Sequence, residues 1–200
     1  MKTLNITLAG VGGQGIILAA DMLALAAAKA GLDVKKSEIH GMAQRGGSVV
    51  SQVRIGDSVA SPIVQHGKTD ILVCFDKLEA LRMAQTMAPD GIAIVNDMYL
   101  TPVTVSSGQQ ADVPDLDARV RATPGAILVD AMGIAEKGAG SGRTMNMVLA
   151  GALSAHCPID ERCWREAAGE LFSGPKAGFL EMNLKAFTLG REAAAGGAET

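Results

Sequence analysis

Two segments near the amino terminus hold residue types that could bind a ligand. In the first, Gly10, Gly12, Gly13, Gln14 and Gly15 form a glycine-rich turn, and Gly10, Gly12 and Gly15 satisfy G-x-G-x-x-G. In such a turn the first glycine permits the bend, the second lets a ligand approach the backbone, and the third lets helix and strand pack closely. Free amides at the following helix start favour an anion. Three readings stay open: a bound dinucleotide, another phosphate or anion, and a purely structural turn or subunit contact. The dinucleotide reading needs an acidic residue about 20 positions on to hold the ribose, and Glu38 is its candidate.

In the second segment His40, Gln44 and Arg45 sit among Gly41, Gly46 and Gly47, followed by Ser48. Such a loop can bring amides, a guanidinium and an imidazole to one surface, which suits a carboxylate or phosphate. It equally suits a polar subunit interface or a solvated loop. Ser48 has no evident base to make it a nucleophile; His40 is the nearest candidate. Cys74, Cys157 and Cys163 read as buried or incidental thiols, since an iron–sulfur cubane needs four thiolates and there is no Cys-x-x-Cys. His66 and His156 read as surface or interface residues, and Trp164 as a packing anchor.

Several elements must position these segments. Leu4, Ile6 and Leu8 alternate with polar residues and predict a first strand, followed by a helix from Gln14 to Ala30 that stops at Gly31. Val34–Ile39 predicts a short strand. Ser48–Ile55 alternates and predicts a strand with one wetter face. The continuous apolar run Asp70–Phe75 predicts a strand buried on both faces. A helix follows from Lys77 to Met87, with strands at Gly91–Asn96 and Ala126–Asp130 and irregular chain over Thr101–Asp117. From Asn146 on, the pattern predicts helices at Asn146–His156, Ile159–Phe172 and Lys176–Gly190, with Pro158 at an early helix position. The fold class is α/β: a Rossmann-like three-layer sandwich with a mostly parallel sheet and a helical carboxy-terminal segment. Because Ser48–Ile55 follows its neighbour without a helix, the strand order should depart from the standard doubly wound one there. Residues 1–190 form one domain in this reading and 191–200 a frayed tail.

Composition narrows the function. The chain has 200 residues, 48 % apolar but only 3 % aromatic, so its core is built from Ala, Val, Ile, Leu and Met. A net charge of −3 gives no hint of a nucleic-acid partner. No apolar run is long enough to span a membrane and no signal peptide is evident, so a cytoplasmic location is expected.

Taken together, Gly10–Gly15 and Glu38–Ile55 resemble the two best-marked motifs of the gamma-type subunit of the 2-oxoacid:ferredoxin oxidoreductases. Further similar stretches are Ser61-Pro62, Gly67–Arg82, Asn146–Leu153 and Glu181–Phe187. The matches run from about residue 4 to 190. Within the family, the length and the Arg45–Val49 segment most resemble the small (beta) subunits acting on indolepyruvate. Departures are Asp76, where Glu is expected, and His66 and Lys68, which flank Gly67 where less charged residues are common.

The resemblance implies oxidative decarboxylation of a 2-oxoacid with coenzyme A as co-substrate and ferredoxin as acceptor. It places thiamine diphosphate, magnesium and iron–sulfur clusters on a large partner subunit, with no cofactor or metal bound by this chain alone. The chain would then be inactive by itself and would shape or cover the partner's site through Gly10–Gly15 and His40–Ser48. A homodimer of the isolated chain is also admitted. Indolepyruvate or another arylpyruvate is the leading substrate, with pyruvate, 2-oxoisovalerate and 2-oxoglutarate as alternatives. An independent NAD(P)-binding Rossmann protein is the reading from another class.

Overall fold

The computed structural model describes residues 1–40 and 47–196. In chain order the elements are β1 (Leu4–Val11), α1 (Ile16–Lys29), β2 (Asp33–His40), β3 (Ser48–Gly56), β4 (Thr69–Cys74), α2 (Lys77–Met83), β5 (Met87–Asn96), α3 (Val103–Ser106), α4 (Leu116–Arg121), β6 (Ala126–Val129), α5 (Ala131–Ile134), α6 (Met145–Ser154), α7 (Glu161–Leu171) and α8 (Leu180–Gly196). The strands form one sheet in the order β2-β3-β1-β4-β5-β6. The β1–β4, β4–β5 and β5–β6 ladders are parallel; β3 pairs antiparallel with both β1 and β2.

The expected departure from doubly wound order is therefore an insertion. Strand β3 turns back from β2 and lies between it and β1. Its alternation sorts the two faces: Val49, Val53 and Ile55 join the core under α1, while Val50 packs toward α2. β4 is apolar throughout because both its faces are covered, with Ile71 and Val73 on the α1 side and Leu72 and Cys74 on the α2 side.

The two helical layers are unequal. Helices α1, α6, α7 and α8 build an extensive core on one face, centred on Met22, Leu23, Met147, Trp164 and Phe187. All ten residues of α6 are buried. It crosses α8 so closely that a Cβ on Gly151 would stand 2.0 Å from the Phe187 carbonyl oxygen, and one on Gly190 would stand 1.9 Å from that of Val148. Only a bare backbone fits there. The other layer holds α2 and α4 over a small cluster including Ala9, Leu72, Ala80, Val95 and Val120.

Several sequence expectations need correction. The helix after β4 stops at Met83, passes into a 3-10 turn over Ala84–Thr86, and β5 starts at Met87 rather than Gly91. The stretch expected to be irregular contains α3 and the start of α4. Pro158 lies outside α7, because Asp160 caps that helix by accepting from the Arg162 amide. Residues 191–196 continue α8, with Ala194 buried, rather than fraying; burial of one face holds the last turns. Residues 197–200 are outside those described.

Candidate functional site

The strand order places the switch point of this sheet between β1 and β4. From β1 the chain leaves toward β2, and from β4 it leaves toward β5. In open α/β sheets ligands gather beyond the carboxyl ends of strands at such a point. The glycine turn leaves β1 there, and the segment between β2 and β3 ends beside it.

The two segments singled out in the sequence meet: the Gly12 amide donates to the Gly47 carbonyl at 2.9 Å, and Val11 pairs with Ser48 across the ladder. His40 closes β2, opposite Val49. Gln44, Arg45 and Gly46 lie outside the described residues, so the structure bears only on the edges of that loop.

Within the glycine turn each residue has a distinct place. A Cβ on Gly10 would meet the Gln14 side chain at 2.6 Å and Phe75 Cβ at 2.7 Å, so this glycine serves the close fit of β1 against β4. Gly13 and Gly15 adopt φ of +103° and +85°, which an L side chain would strain. A Cβ on Gly15 would also strike Asn146 at 2.7 Å, so the third glycine clears α6. The Gln14 side chain is used internally: its Oε1 accepts from the Val11 amide at 2.7 Å and its Nε2 donates to the Phe75 carbonyl at 3.2 Å. Asn96 Nδ2 donates to the same carbonyl, and its Oδ1 accepts from the Ala131 amide. These two amide side chains bind the carboxyl ends of β1, β4, β5 and β6 together. Gly12, Gly13 and Gly15, with Ile16, Ile17 and Val49, line a small pocket of about 250 Å³.

A second cavity, of about 530 Å³, opens on the other side of the β1 end and was not foreseen from sequence. Its floor holds Glu79, whose side chain is 1 % exposed. Glu79 accepts from Ser48 Oγ at 2.6 Å and from the Arg82 guanidinium. Ser48 therefore does have an acidic partner, contributed by α2 from 31 positions away. Asp76, also buried, caps α2 by accepting from the Leu78 amide and holds the far wall through the Leu100 amide. Burial pushes its carboxyl up from the usual range, against these backbone hydrogen bonds. The shorter Asp fits the capping role at a position where Glu was expected. Leu100 and Val103 form an exposed apolar rim.

The dinucleotide reading loses its acidic residue. Because β3 lies between β1 and β2, Glu38 is displaced from β1 by two strand spacings, about 10 Å. Its carboxylate also pairs with Lys36 at 2.7 Å. The cysteines are not placed for cluster chemistry: Cys74 is buried and its thiol is pushed well up by that burial, and burial raises Cys157 to about 12. Among the described residues no group of three or more His, Cys, Asp or Glu could hold a metal ion, and no helix is long and apolar enough to cross a membrane. His156 is half-buried rather than on the surface, and burial lowers its pKa.

Comparison with known proteins agrees with this geometry. The family model described as pyruvate ferredoxin/flavodoxin oxidoreductase matches residues 5–193. The chain is 41 % identical to indolepyruvate oxidoreductase subunit IorB of Pyrococcus horikoshii, over 97 % of each chain. It is similar in structure to the gamma subunit of a keto/oxoacid ferredoxin oxidoreductase from Geobacter sulfurreducens, with a TM-score of 0.75 and 25 % identity over 98 % of this chain and 99 % of that one. It is also similar to the 2-oxoglutarate:ferredoxin oxidoreductase of Magnetococcus marinus, solved with 2-oxoglutarate, coenzyme A and succinyl-CoA bound. There the TM-score is 0.75 and the identity 26 %, over 98 % of this chain but only 32 % of that longer one.

Proposed function

The chain belongs to the pyruvate ferredoxin/flavodoxin oxidoreductase family, and we propose that it is the small subunit of a complex that oxidatively decarboxylates indolepyruvate or a related arylpyruvate to an acyl-CoA. The observation that carries the substrate class is the identity of 41 % along almost the whole of an indolepyruvate oxidoreductase subunit, against 26 % to the 2-oxoglutarate enzyme. In this reading thiamine diphosphate, magnesium and iron–sulfur clusters reside on a large partner subunit, which passes electrons to ferredoxin. The thiamine supplies the carbanion chemistry that releases carbon dioxide.

This chain contributes binding and exclusion of water. The glycine turn and the 40–48 segment face the partner at the carboxyl ends of β1 and β2. Gly12, Gly13 and Gly15 offer backbone without side chains, suited to close approach by a phosphate of coenzyme A or by the substrate carboxylate. By sequence, His40, Gln44 and Arg45 supply polar and cationic groups to the segment that ends at Gly47, beside the glycine turn. The Glu79 cavity is a poor place for those anions, because Asp76 and Glu79 outnumber Arg82, which is already paired. Glu79 instead anchors Ser48 and with it the start of β3 beside the glycine turn.

The test is substrate competition in the assembled complex. The reading expects kcat/KM for indolepyruvate and phenylpyruvate to exceed that for pyruvate, 2-oxoisovalerate and 2-oxoglutarate. A preference for any of the last three would keep the family and replace the substrate.

A further inference from the structure

At the amino end of β1, about 20 Å along the strand from the glycine turn, is a third, open pocket of about 510 Å³. It is lined by Lys2, Arg54, Ser61, Ile63, Gln65 and Lys68. Arg54 is fixed at its base. Its Nε donates to Asn5 Oδ1 at 2.8 Å and its Nη1 to the Ser61 carbonyl at 2.7 Å. Asn5 is itself held, because its amide and Nδ2 both donate to Asp70 at 2.7 and 2.9 Å. The guanidinium is thus oriented by a chain of hydrogen bonds that starts in β4.

Lys68 reaches the pocket from a tight turn. Its amide donates to the Gln65 carbonyl at 3.1 Å, and Gly67 takes φ +72°. Lys29, Lys35, Lys36 and Lys77 are each ion-paired, whereas, among the described residues, Lys137, Lys176 and Lys185 stand singly; what sets this pocket apart is that its cations are gathered together. Among the described residues no carboxylate pairs with Lys2, Arg54 or Lys68. The nearby carboxylates are taken: Asp57 by the amino terminus, Asp33 by Lys35, and Asp70 by Asn5. A chain of net charge −3 therefore gathers at one pocket three cations without a directly paired carboxylate, with Asp70 standing behind Arg54 through Asn5. Ile63, 53 % exposed, adds an apolar edge.

We propose that this pocket docks a carboxylate-bearing segment of the large partner subunit, with an apolar side chain set against Ile63. A subunit must present a surface to its partner, and in the 2-oxoglutarate enzyme this unit is about a third of a longer chain. An oriented Arg is a residue enriched at interfaces, and the flanking lysines suit a solvent-exposed polar rim. The rim charges steer and register the contact, and the fixed guanidinium holds it. The inference rests on the proposal that the chain works as a subunit.

The experiment compares the wild type with the double variant Lys2→Glu, Lys68→Glu, both tagged at the carboxyl end. Affinity for the purified large subunit is measured from low to high salt, and each isolated chain is melted. The expected result is a Kd for the variant at least about tenfold higher at low salt, with a flatter salt dependence. The melting curve and the kcat at saturating subunit should be unchanged. Wild-type affinity and salt dependence in the variant would overturn the inference and leave the subunit reading intact. Failure of the wild type to bind the large subunit at all would overturn both. Inorganic pyrophosphate binding to the isolated wild type and not to the variant, with assembly unaffected, would overturn it in favour of a small anion.

Discussion

The two faces of the sheet are built for different tasks. On the α1 face, large apolar side chains and glycine-mediated helix contacts are closely packed, and the small glycine-turn pocket lies at the edge of that layer, beside Ile16, Ile17 and Val49. On the α2 face, a thin apolar layer covers mainly β4, β5 and the end of β1, with Val50 and Leu128 at its margins, and buried carboxylates line a cavity beside the glycine turn. The difference teaches that this chain holds its shape with the α1 face, while its chemistry gathers at the carboxyl edge of the sheet, where the glycine turn and the Glu79 cavity lie on either side of the β1 end. Substitutions on the first should cost stability before activity, and those on the second the reverse.

The largest expected effect is Gly151→Val. Its side chain would have to occupy space taken by the α8 backbone, so α6 and α8 must separate, at about 3 kcal/mol or more. We expect little folded protein by circular dichroism; a folded variant with wild-type melting would break the comparison at its firmest point. Trp164→Ala follows, with a loss of about 3–5 kcal/mol in denaturant unfolding. At temperatures where it stays folded, the KM for coenzyme A in the complex should not move. Glu79→Gln sharpens the other side. Keeping the Ser48 contact but unpairing Arg82, it should cost about 1–2 kcal/mol of stability and lower kcat/KM of the complex by up to about tenfold through misplacement of the β3 start. An unchanged kcat/KM would remove Glu79 from the site. The smallest effect is chemical: Cys74, buried, and Cys157, half-buried, both with raised pKa values, should resist alkylation by iodoacetamide until the chain is unfolded. Modification of either in the native state at pH 8 would contradict the packing described.

How much of this was legible in the sequence depends on how local each signal was. The alternation in Ser48–Ile55 and the unbroken apolar run at 70–75 reported which strands were covered on one face and which on two. The lack of a helical pattern before Ser48 signalled a departure from the doubly wound order, but not that β3 would lie between β2 and β1. The glycine turn was visible, but the jobs of its members were not. Gly15 clears Asn146, and Gln14 reaches Phe75, contacts more than 60 positions distant that no local pattern encodes. Glu79 was missed for the same reason, although it stands within the Gly67–Arg82 stretch that carried the resemblance. Pro158 misled because a proline signals a helix start only when it sits in the first turn, and Asp160 provides the cap two residues later.

The central claim is that this chain completes a site it does not itself contain. Its most direct test is reduction of a low-potential electron acceptor by indolepyruvate and coenzyme A, with this chain alone, the large subunit alone, and both together. The account predicts turnover only, or at least many-fold more, in the mixture, with Arg45→Ala in this chain lowering it while assembly persists. Equal turnover by the large subunit alone would contradict it.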